Sequence, residues 1–187
     1  SKSLHITDSI SFLEPVINLN TSNDITKINI DAVSKSALEQ VSLNGFINTY
    51  EDGVAIKWLP SYFILNQKKW NINNNGILTL RKSNTTASNV KFTQGIQEFI
   101  FSSSSTNKDA IGLELKNVIL GDITKLFFNY PKLEGVTNGN ILFKNLFKDF
   151  EFNSNLDIDQ LSFNNDSVGN TQLSASYIHS KSTIPFS

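Results

Sequence analysis

Two carboxylates separated by one residue, Asp157 and Asp159, are the pattern in this sequence that most suggests chemistry. Carboxylates at this spacing occur in Ca²⁺ sites and could also act as paired catalytic acids. They lie in a stretch, Asp149 to Asp159, in which every odd-numbered position is polar or charged. Strand side chains alternate between the two faces of a sheet, so the pattern favours a solvated strand face over a metal or catalytic site.

Other catalytic or metal-binding motifs are missing from the sequence. The two histidines, His5 and His179, have no acidic residue or second histidine at ligand spacing. There is no nucleophile elbow, zinc motif or phosphate-binding glycine loop, and without Cys there is no thiolate ligand or disulfide. The N-x-S/T matches at Asn84 and Asn165 are expected by chance in a chain so rich in Asn, Ser and Thr. We expect neither an enzyme nor a metal or cofactor site.

A group of aromatic residues offers a different chemistry. Trp58, Tyr62, Phe63 and Trp70 could form a platform on which sugar rings stack. They could equally pack inside a sheet, and this is the interpretation that we favour.

Composition limits the class of partner. The net charge is −1, so a nucleic-acid partner, which needs a Lys/Arg-rich face, is not expected. Asn and Ser make up about a quarter of the residues, which predicts a polar but largely uncharged exterior. We expect residues 1–187 to be a single segment excised from a longer repetitive protein, because the chain has no Met and begins in mid-pattern. No apolar run approaches the ~20 residues that span a bilayer, so any targeting or anchoring element is expected outside this segment.

Alternation of apolar and polar residues recurs along the chain and predicts an all-β fold. Turn signals follow one another roughly every 8–12 residues and divide the chain into about a dozen strands. The sequence predicts a tight turn at Asn73–Gly76, with Ile77–Arg81 returning as the partner strand. It predicts a second tight turn framed by Gly135 and Gly139.

One short helix is predicted around Asp122 to Phe128, with Asp122 as the N-cap. Periodicity also identifies the apolar face of each strand, but it does not decide what covers that face. A closed sandwich would bury it, whereas an open curled sheet would leave a groove that suits an apolar ligand.

Two stretches of the chain carry a resemblance to a known family. Leu59 to Ser102 contains a short strand, a Trp-x-Ile element, an Asn/Gly turn, a strand and a Gly-x-Gln element. The matching residues are Trp70, Ile72, Gly76, Gly95, Gln97 and Phe99. Leu133 to Tyr177 contains Leu-x-Gly-x-x-x-Gly-x-Ile, a linker, a long alternating strand, a turn and a final strand with a Gly followed by a Leu. Its matching residues are Leu133, Gly135, Gly139, Ile141, Leu156, Ile158, Leu161, Gly169, Leu173 and Tyr177.

These blocks, at 59–102 and 133–177, resemble the repeated C-terminal region of the TamB family of AsmA-like envelope proteins, most closely the Bacteroidota version. The family often has a Pro in the linker before the long strand, where this chain reads FKNLFKDFEF. The resemblance implies a β-taco: an elongated antiparallel sheet curled into an open U-shaped groove with an apolar interior.

The resemblance also implies a function and a location. The parent protein would be anchored in the inner membrane, and this segment would lie in the periplasm of the bacterial cell envelope. It would conduct phospholipid acyl chains toward the outer membrane, support outer-membrane β-barrel assembly with a barrel partner, or do both. For barrel assembly, the groove or an exposed sheet edge would template nascent barrel strands.

The alternation predicts which residues would line such a groove: Val41, Leu43, Val54, Ile56, Trp58, Ile141, Phe143, Phe150, Phe152, Leu156, Ile158, Leu173 and Tyr177. The alternative is a closed β-sandwich or solenoid that serves cell-surface adhesion or glycan binding. In that case Trp58 or Trp70 would be exposed to bind sugar.

Overall fold

The computed structural model describes residues 3–7, 10–105, 107–128 and 130–178, and it confirms an all-β fold with one short helix. The strands are β1 (Ser3–Thr7), β2 (Ile10–Ser22), β3 (Ile25–Ser34), β4 (Leu38–Tyr50), β5 (Gly53–Trp58), β6 (Ser61–Leu65), β7 (Lys68–Ile72), β8 (Ile77–Arg81), β9 (Thr85–Ser88), β10 (Val90–Gln94), β11 (Gln97–Ser103), β12 (Ala110–Ile119), β13 (Leu133–Lys144), β14 (Glu151–Phe163) and β15 (Asp166–Ile178). The helix α1 (Leu120–Thr124) lies between β12 and β13.

The fifteen strands form one antiparallel sheet in which β1 and β15 are the two ends and do not pair with each other. The sheet is therefore open rather than closed into a sandwich or barrel. Strand pairs β5/β6, β7/β8 and β9/β10 each act as one long, bent strand. For example, β5 and β6 both pair with β4, one after the other along its length. Counted this way, twelve long strands follow one another across the sheet in sequence order.

The interruptions in these bent strands lie side by side and form a bend line across the sheet. It runs from Asn44–Gly45 through Leu59–Ser61 and Asn73–Gly76 to Asn89. Hydrogen bonds continue across it, from Leu59 N to Asn44 O at 2.9 Å and from Trp58 N to Gly76 O at 2.9 Å. Because neighbouring strands bend at the same level, the sheet folds along this line, which contributes to its curl.

Local chemistry explains why the chain bends here. Pro60 has no N–H to donate to a ladder, and the Ser61 hydroxyl bonds to the Asn44 backbone instead, donating to Asn44 O at 3.1 Å and accepting from Asn44 N at 2.8 Å. Asn75 and Asn89 adopt positive φ angles of 64° and 54°, a conformation that Asn tolerates better than most residues. A Cβ on Gly76 would lie 2.7 Å from Asn89 O, so only glycine fits at that position.

The turn predicted at Asn73–Gly76 is present, with Gly76 N donating to Asn73 O at 3.4 Å. It does not join a hairpin as predicted, because β7 pairs with β6 and β10, whereas β8 pairs with β5 and β9. The predicted turn framed by Gly135 and Gly139 is wrong. Gly135 and Gly139 both lie inside the continuous strand β13. Their φ values are 141° and 144°, and a Cβ on Gly139 would lie 2.2 Å from Asn155 O, so glycine is needed here for close strand packing rather than for a turn.

One face of the sheet, the inner face, holds nearly all of the buried apolar side chains. Strand register places Phe12, Ile28, Trp70, Val90 and Ile158 on it, and all are at most 8% exposed. The opposite, outer face carries polar side chains that bond across the strands, such as Asn29 to Asn44 at 2.7 Å. The fold is thus a single curled sheet with an apolar interior, as the resemblance implied.

The predicted helix exists but is displaced toward the N-terminus. It runs from Leu120 to Thr124, with Ile119 at the N-cap position, so the prediction that Asp122 caps a helix reaching Phe128 is wrong. Asp122 instead lies within the helix and is buried, with its carboxylate bonded to Lys68 Nζ at 2.6 Å. Within the described residues, no helix has the length and apolar character needed to cross a membrane.

Candidate functional site: the inner face

The structure places the predicted groove residues together on the inner face. In β13–β15, for example, Phe143 pairs with Phe152, and Phe152 pairs with Tyr177. Ile158 is buried and the others are half-buried, as expected for side chains that point into an open concave surface. The inner-face set contains every predicted lining residue: Val41, Leu43, Val54, Ile56, Trp58, Ile141, Phe143, Phe150, Phe152, Leu156, Ile158, Leu173 and Tyr177.

Aromatic rings cluster where β13, β14 and β15 meet. The Phe152 and Tyr177 rings stack with centroids 6.2 Å apart and an interplanar angle of 19°. Phe150 lies just before β14, yet its ring contacts Phe143, Phe152 and Tyr177 at 6.2–6.4 Å. This aromatic cluster is only half-buried, so it presents a firm apolar surface to the interior of the groove.

A second run of aromatic rings was missed by the prediction of the lining. Phe63 stacks on Trp70 at 5.9 Å and meets Phe92 edge-on at 6.2 Å. Phe92 in turn lies 5.5 Å from Phe101, and Trp70 lies 5.1 Å from Phe99. The signal was present in the sequence, since Phe99 and Phe101 alternate with polar or outward-facing residues in β11. The run crosses β6, β7, β10 and β11 and makes the inner face continuous between β4 and β12.

Charged residues are confined to the margin of the inner face. Of the charged side chains in the described strand pairs, the register places only Lys68 and Asp166 on it. Each is in the last pair before a turn, opposite Leu65 and Phe163 respectively. The interior of the groove between its two margins is therefore uncharged.

One margin, which we call the helix rim, consists of α1 and the β6–β7 and β10–β11 turns. The Lys68–Asp122 ion pair joins α1 to the start of β7, and Asn66 Nδ2 donates to Asp122 O at 2.9 Å. Several deeply buried inner-face side chains lie toward this rim, among them Leu65 at 1% and Trp70 at 0% exposure.

The other margin, the loop rim, consists of the β8–β9 turn and the loops at residues 104–109 and 145–150. Leu146 packs against a buried cluster of Ala87, Val90 and Ile111 on the inner face. Beside Leu146 is a cavity of about 530 Å³. Its lining residues are Lys82, Thr85, Asp109, Asn145, Leu146, Phe147, Lys148 and Asp149.

An electrostatic contact orders the loop rim near this cavity. The Asp52 carboxylate accepts hydrogen bonds from Ser83 N at 3.0 Å and from Arg81 Nε at 2.6 Å. Hydrogen bonding from Ser83, followed by that from Arg81, lowers the pKa of Asp52 from 3.8 to about 2. The turn between β4 and β5 is thereby fixed to the β8–β9 turn.

The other residues considered from sequence do not assemble into sites. Asp157 and Asp159 lie on the outer face, where Asp157 Oδ1 accepts a hydrogen bond from Gln172 Nε2 at 2.9 Å. Across the described part of the chain, no three His, Cys, Asp or Glu side chains form a group able to hold a metal ion. His179 lies outside the described residues.

The proposed aromatic platform is divided between the two faces of the sheet. Trp70 is fully buried on the inner face, whereas Tyr62 is on the outer face with Lys69 Nζ 4.0 Å from its ring centroid. Trp58, Phe63 and Trp70 thus lie on the inner face, as favoured, whereas Tyr62 does not. The four rings do not together form a flat surface for a sugar.

In comparisons with known proteins, no protein-family model matches the chain, and neither a curated protein nor a solved structure matches it significantly. What the geometry itself offers is a long, concave, uncharged surface with charged groups along its rims. Such a surface can bind an extended apolar ligand that lies along the groove, through apolar contacts and without hydrogen bonds.

Proposed function

We propose that this chain is a segment of a TamB-like envelope protein in the periplasm, and that its inner face conducts phospholipid acyl chains between the inner and outer membranes. One observation carries the proposal: the inner face is apolar from β3 to β15, and no second sheet of the described residues covers it. An acyl chain needs no hydrogen-bond partner and gains about 0.8 kcal/mol for each CH₂ removed from water.

The openness of the sheet also supports a conduit over a closed binding cavity. Ile17 and Leu19, at inner-face positions of β2, are 50% and 64% exposed, so the apolar surface reaches solvent at that end. Cargo could enter and leave along the groove without unfolding of the sheet. No catalytic group is required for such transfer.

The test places a negative charge inside the groove. Phe152→Glu puts a carboxylate within the aromatic cluster, where an acyl chain would lie, while Asn153→Glu puts the same charge at the next position on the exposed outer face. We expect phospholipid to co-purify with the unmodified chain and with Asn153→Glu, as measured by native mass spectrometry and lipid extraction. Phe152→Glu should lose it while retaining the circular dichroism of a β-sheet.

An unmodified chain that carries no lipid and binds no fatty-acid probe would contradict the proposal. So would a folded Phe152→Glu variant that retains as much lipid as Asn153→Glu.

A second function, support of outer-membrane β-barrel assembly, is favoured by a different observation. The thirteen-residue strand β15 pairs with β14 along one side and has no described strand along the other. It contains no Pro and no Lys, the residues that commonly protect an edge strand from pairing. By contrast, β2 at the other end contains Pro15, has a positive φ at Glu14 and is partly covered by β1. The β15 edge could accept a nascent barrel strand by β-augmentation.

A further inference from the structure

The loop-rim cavity lies where the apolar groove meets solvent. Its floor includes Thr85, an inner-face residue that is 2% exposed, and its wall includes Leu146, which packs on the buried cluster of Ala87, Val90 and Ile111. The cavity therefore borders the apolar inner face, from which Leu146 separates it. A volume of about 530 Å³ falls within the range of small-molecule sites.

Backbone hydrogen bonds hold the three loops that form this cavity. Thr85 N donates to Lys108 O at 3.0 Å, which joins the β8–β9 turn to the loop at residues 104–109. Asn145 N donates to Asp109 O at 3.1 Å, which joins that loop to the one at residues 145–150. The charged side chains around the cavity are thus carried on loops that are attached to one another.

The charges of the cavity are balanced: Lys82 and Lys148 are cationic, and Asp109 and Asp149 are anionic. The ion pairs found among the described residues are Lys68–Asp122, Arg81–Asp52, Lys91–Glu98 and Lys116–Glu114. None of them uses a charge of the cavity. Two cations and two anions are accordingly present at the rim, and no described side chain of opposite charge lies within ion-pair distance of them.

We propose that this cavity binds a zwitterionic phosphoester, a phosphate linked to a primary amine as in phosphoethanolamine. The lysines Lys82 and Lys148 would bind the phosphate, and the carboxylates of Asp109 and Asp149 would bind the ammonium group. Leu146 and Phe147 would contact the first carbons of an attached acyl chain, which continues into the groove. This site rests on the proposed function in that it assigns the head group of the lipid that the groove conducts.

The experiment compares three lipids that each carry the same single acyl chain and differ only in the head group: a lysophosphatidylethanolamine, a lysophosphatidylglycerol and a monoacylglycerol. Binding to the unmodified chain is measured by displacement of a fluorescent fatty acid. We expect the ethanolamine lipid to bind best. Lys82→Gln/Lys148→Gln should weaken both phospholipids about tenfold and leave the monoacylglycerol unchanged, since it has no phosphate.

The acidic pair is tested separately. Asp109→Asn/Asp149→Asn should weaken the ethanolamine lipid about tenfold, with no loss for the glycerol lipid, because only the former carries an amine. Asn is suitable at position 149 because Asp149 has a φ of 54°, which Asn tolerates. Lys108→Gln is the matched control: it is an exposed lysine in the same loops that does not line the cavity, and its removal should change none of the three affinities.

Glycerophosphoethanolamine, which has no acyl chain, separates this inference from the proposed function. If the three lipids bind equally and the Gln and Asn variants have no effect, the head-group site is wrong and the acyl conduit stands. If glycerophosphoethanolamine shifts the NMR signals of residues 82 and 148 but no acyl probe binds, the cavity takes a free phosphoester and the conduit is wrong. If neither kind of probe binds, both proposals are overturned.

Discussion

At the scale of single residues, Asp52 shows how one side chain connects two turns of the sheet. The folded-state pKa of about 2 lies below the ordinary value of 3.8, so the ionised form is favoured by folding. The stabilising contribution is fully present above about pH 4. It is lost as the pH falls from 3.8 toward 2, where the folded protein also binds the proton.

The lowered pKa of Asp52 predicts how the stability of Asp52→Asn depends on pH. At neutral pH the variant should have a lower melting temperature than the unmodified chain, because the hydrogen bonds to Arg81 and Ser83 lose their charge assistance. The difference should narrow as the pH is lowered from 4 and vanish near pH 2. Thermal unfolding followed by circular dichroism across this range measures it.

Glu51→Gln removes one negative charge from the same turn, as Asp52→Asn does. It therefore separates the effect of the Asp52 hydrogen bonds to Arg81 and Ser83 from the effect of net charge. A difference between Asp52→Asn and the unmodified chain that stays constant from neutral pH to pH 2 would contradict the assignment.

At the scale of the structural elements, the Lys68–Asp122 ion pair and a hydrogen bond from Asn66 attach α1 to the β6–β7 hairpin. The side chain of Asp122 is 9% exposed and that of Lys68 is 36% exposed, so the carboxylate has few water molecules to replace its partner. Lys68→Ala should destabilise the protein by about 1–3 kcal/mol, the cost of leaving a buried acceptor unpaired. The measurement is urea unfolding, with the midpoint lowered and the slope unchanged.

Lys69→Ala is the neighbouring control, because Lys69 lies on the outer face over the ring of Tyr62 and should cost less than about 1 kcal/mol. The double variant Lys68→Ala/Asp122→Ala should recover part of the stability lost in Lys68→Ala, since no unpaired charge is then buried. Equal losses for Lys68→Ala and Lys69→Ala would show that the ion pair does not hold the helix.

The elements also show what the sequence could and could not predict. Alternation correctly identified the inner-face residues of β13–β15. Successive side chains of a strand point to opposite faces of the sheet, so Phe152 and Asn153 cannot share a face. It could not identify the bend line. Asn73–Gly76 has the residue types of a hairpin turn. The chain does not reverse there because β7 and β8 pair with β6 and β5, which lie end to end in the neighbouring bent strand.

The glycines of β13 are a second feature whose role the sequence alone could not predict. Gly139 was interpreted as a turn residue, whereas the backbone of Asn155 in the next strand is what excludes a side chain there. The position of the cavity at the loop rim was equally inaccessible to sequence, because Lys82, Asp109 and Lys148 lie on three separate loops that only the folded sheet brings together.

At the scale of the whole molecule, the two ends of the sheet are unlike, and this leads to a prediction for barrel assembly. If the proposed role in barrel assembly is right, a photo-crosslinking residue at Ser174, on β15, should form adducts with an outer-membrane barrel protein in bacterial cells that produce the chain. Asn71, exposed on the outer face of β7 well within the sheet, is the control position and should form none. Mass spectrometry identifies the adducts.

Adducts with lipid alone at Ser174, or equal capture of barrel protein at Asn71, would count against strand pairing at this edge. Neither result would bear on the proposed acyl conduit, which would use the inner face.

The sequential order of the strands has a consequence for how this architecture changes size. Each strand adds about 4.8 Å in the hydrogen-bonding direction, so twelve of them extend over roughly 50 Å. Inserting or deleting one hairpin alters that extent by about 10 Å, while the cross-section and the direction of the following chain stay the same. A protein of this architecture can therefore change its length in hairpin-sized steps without a change in the shape of its groove.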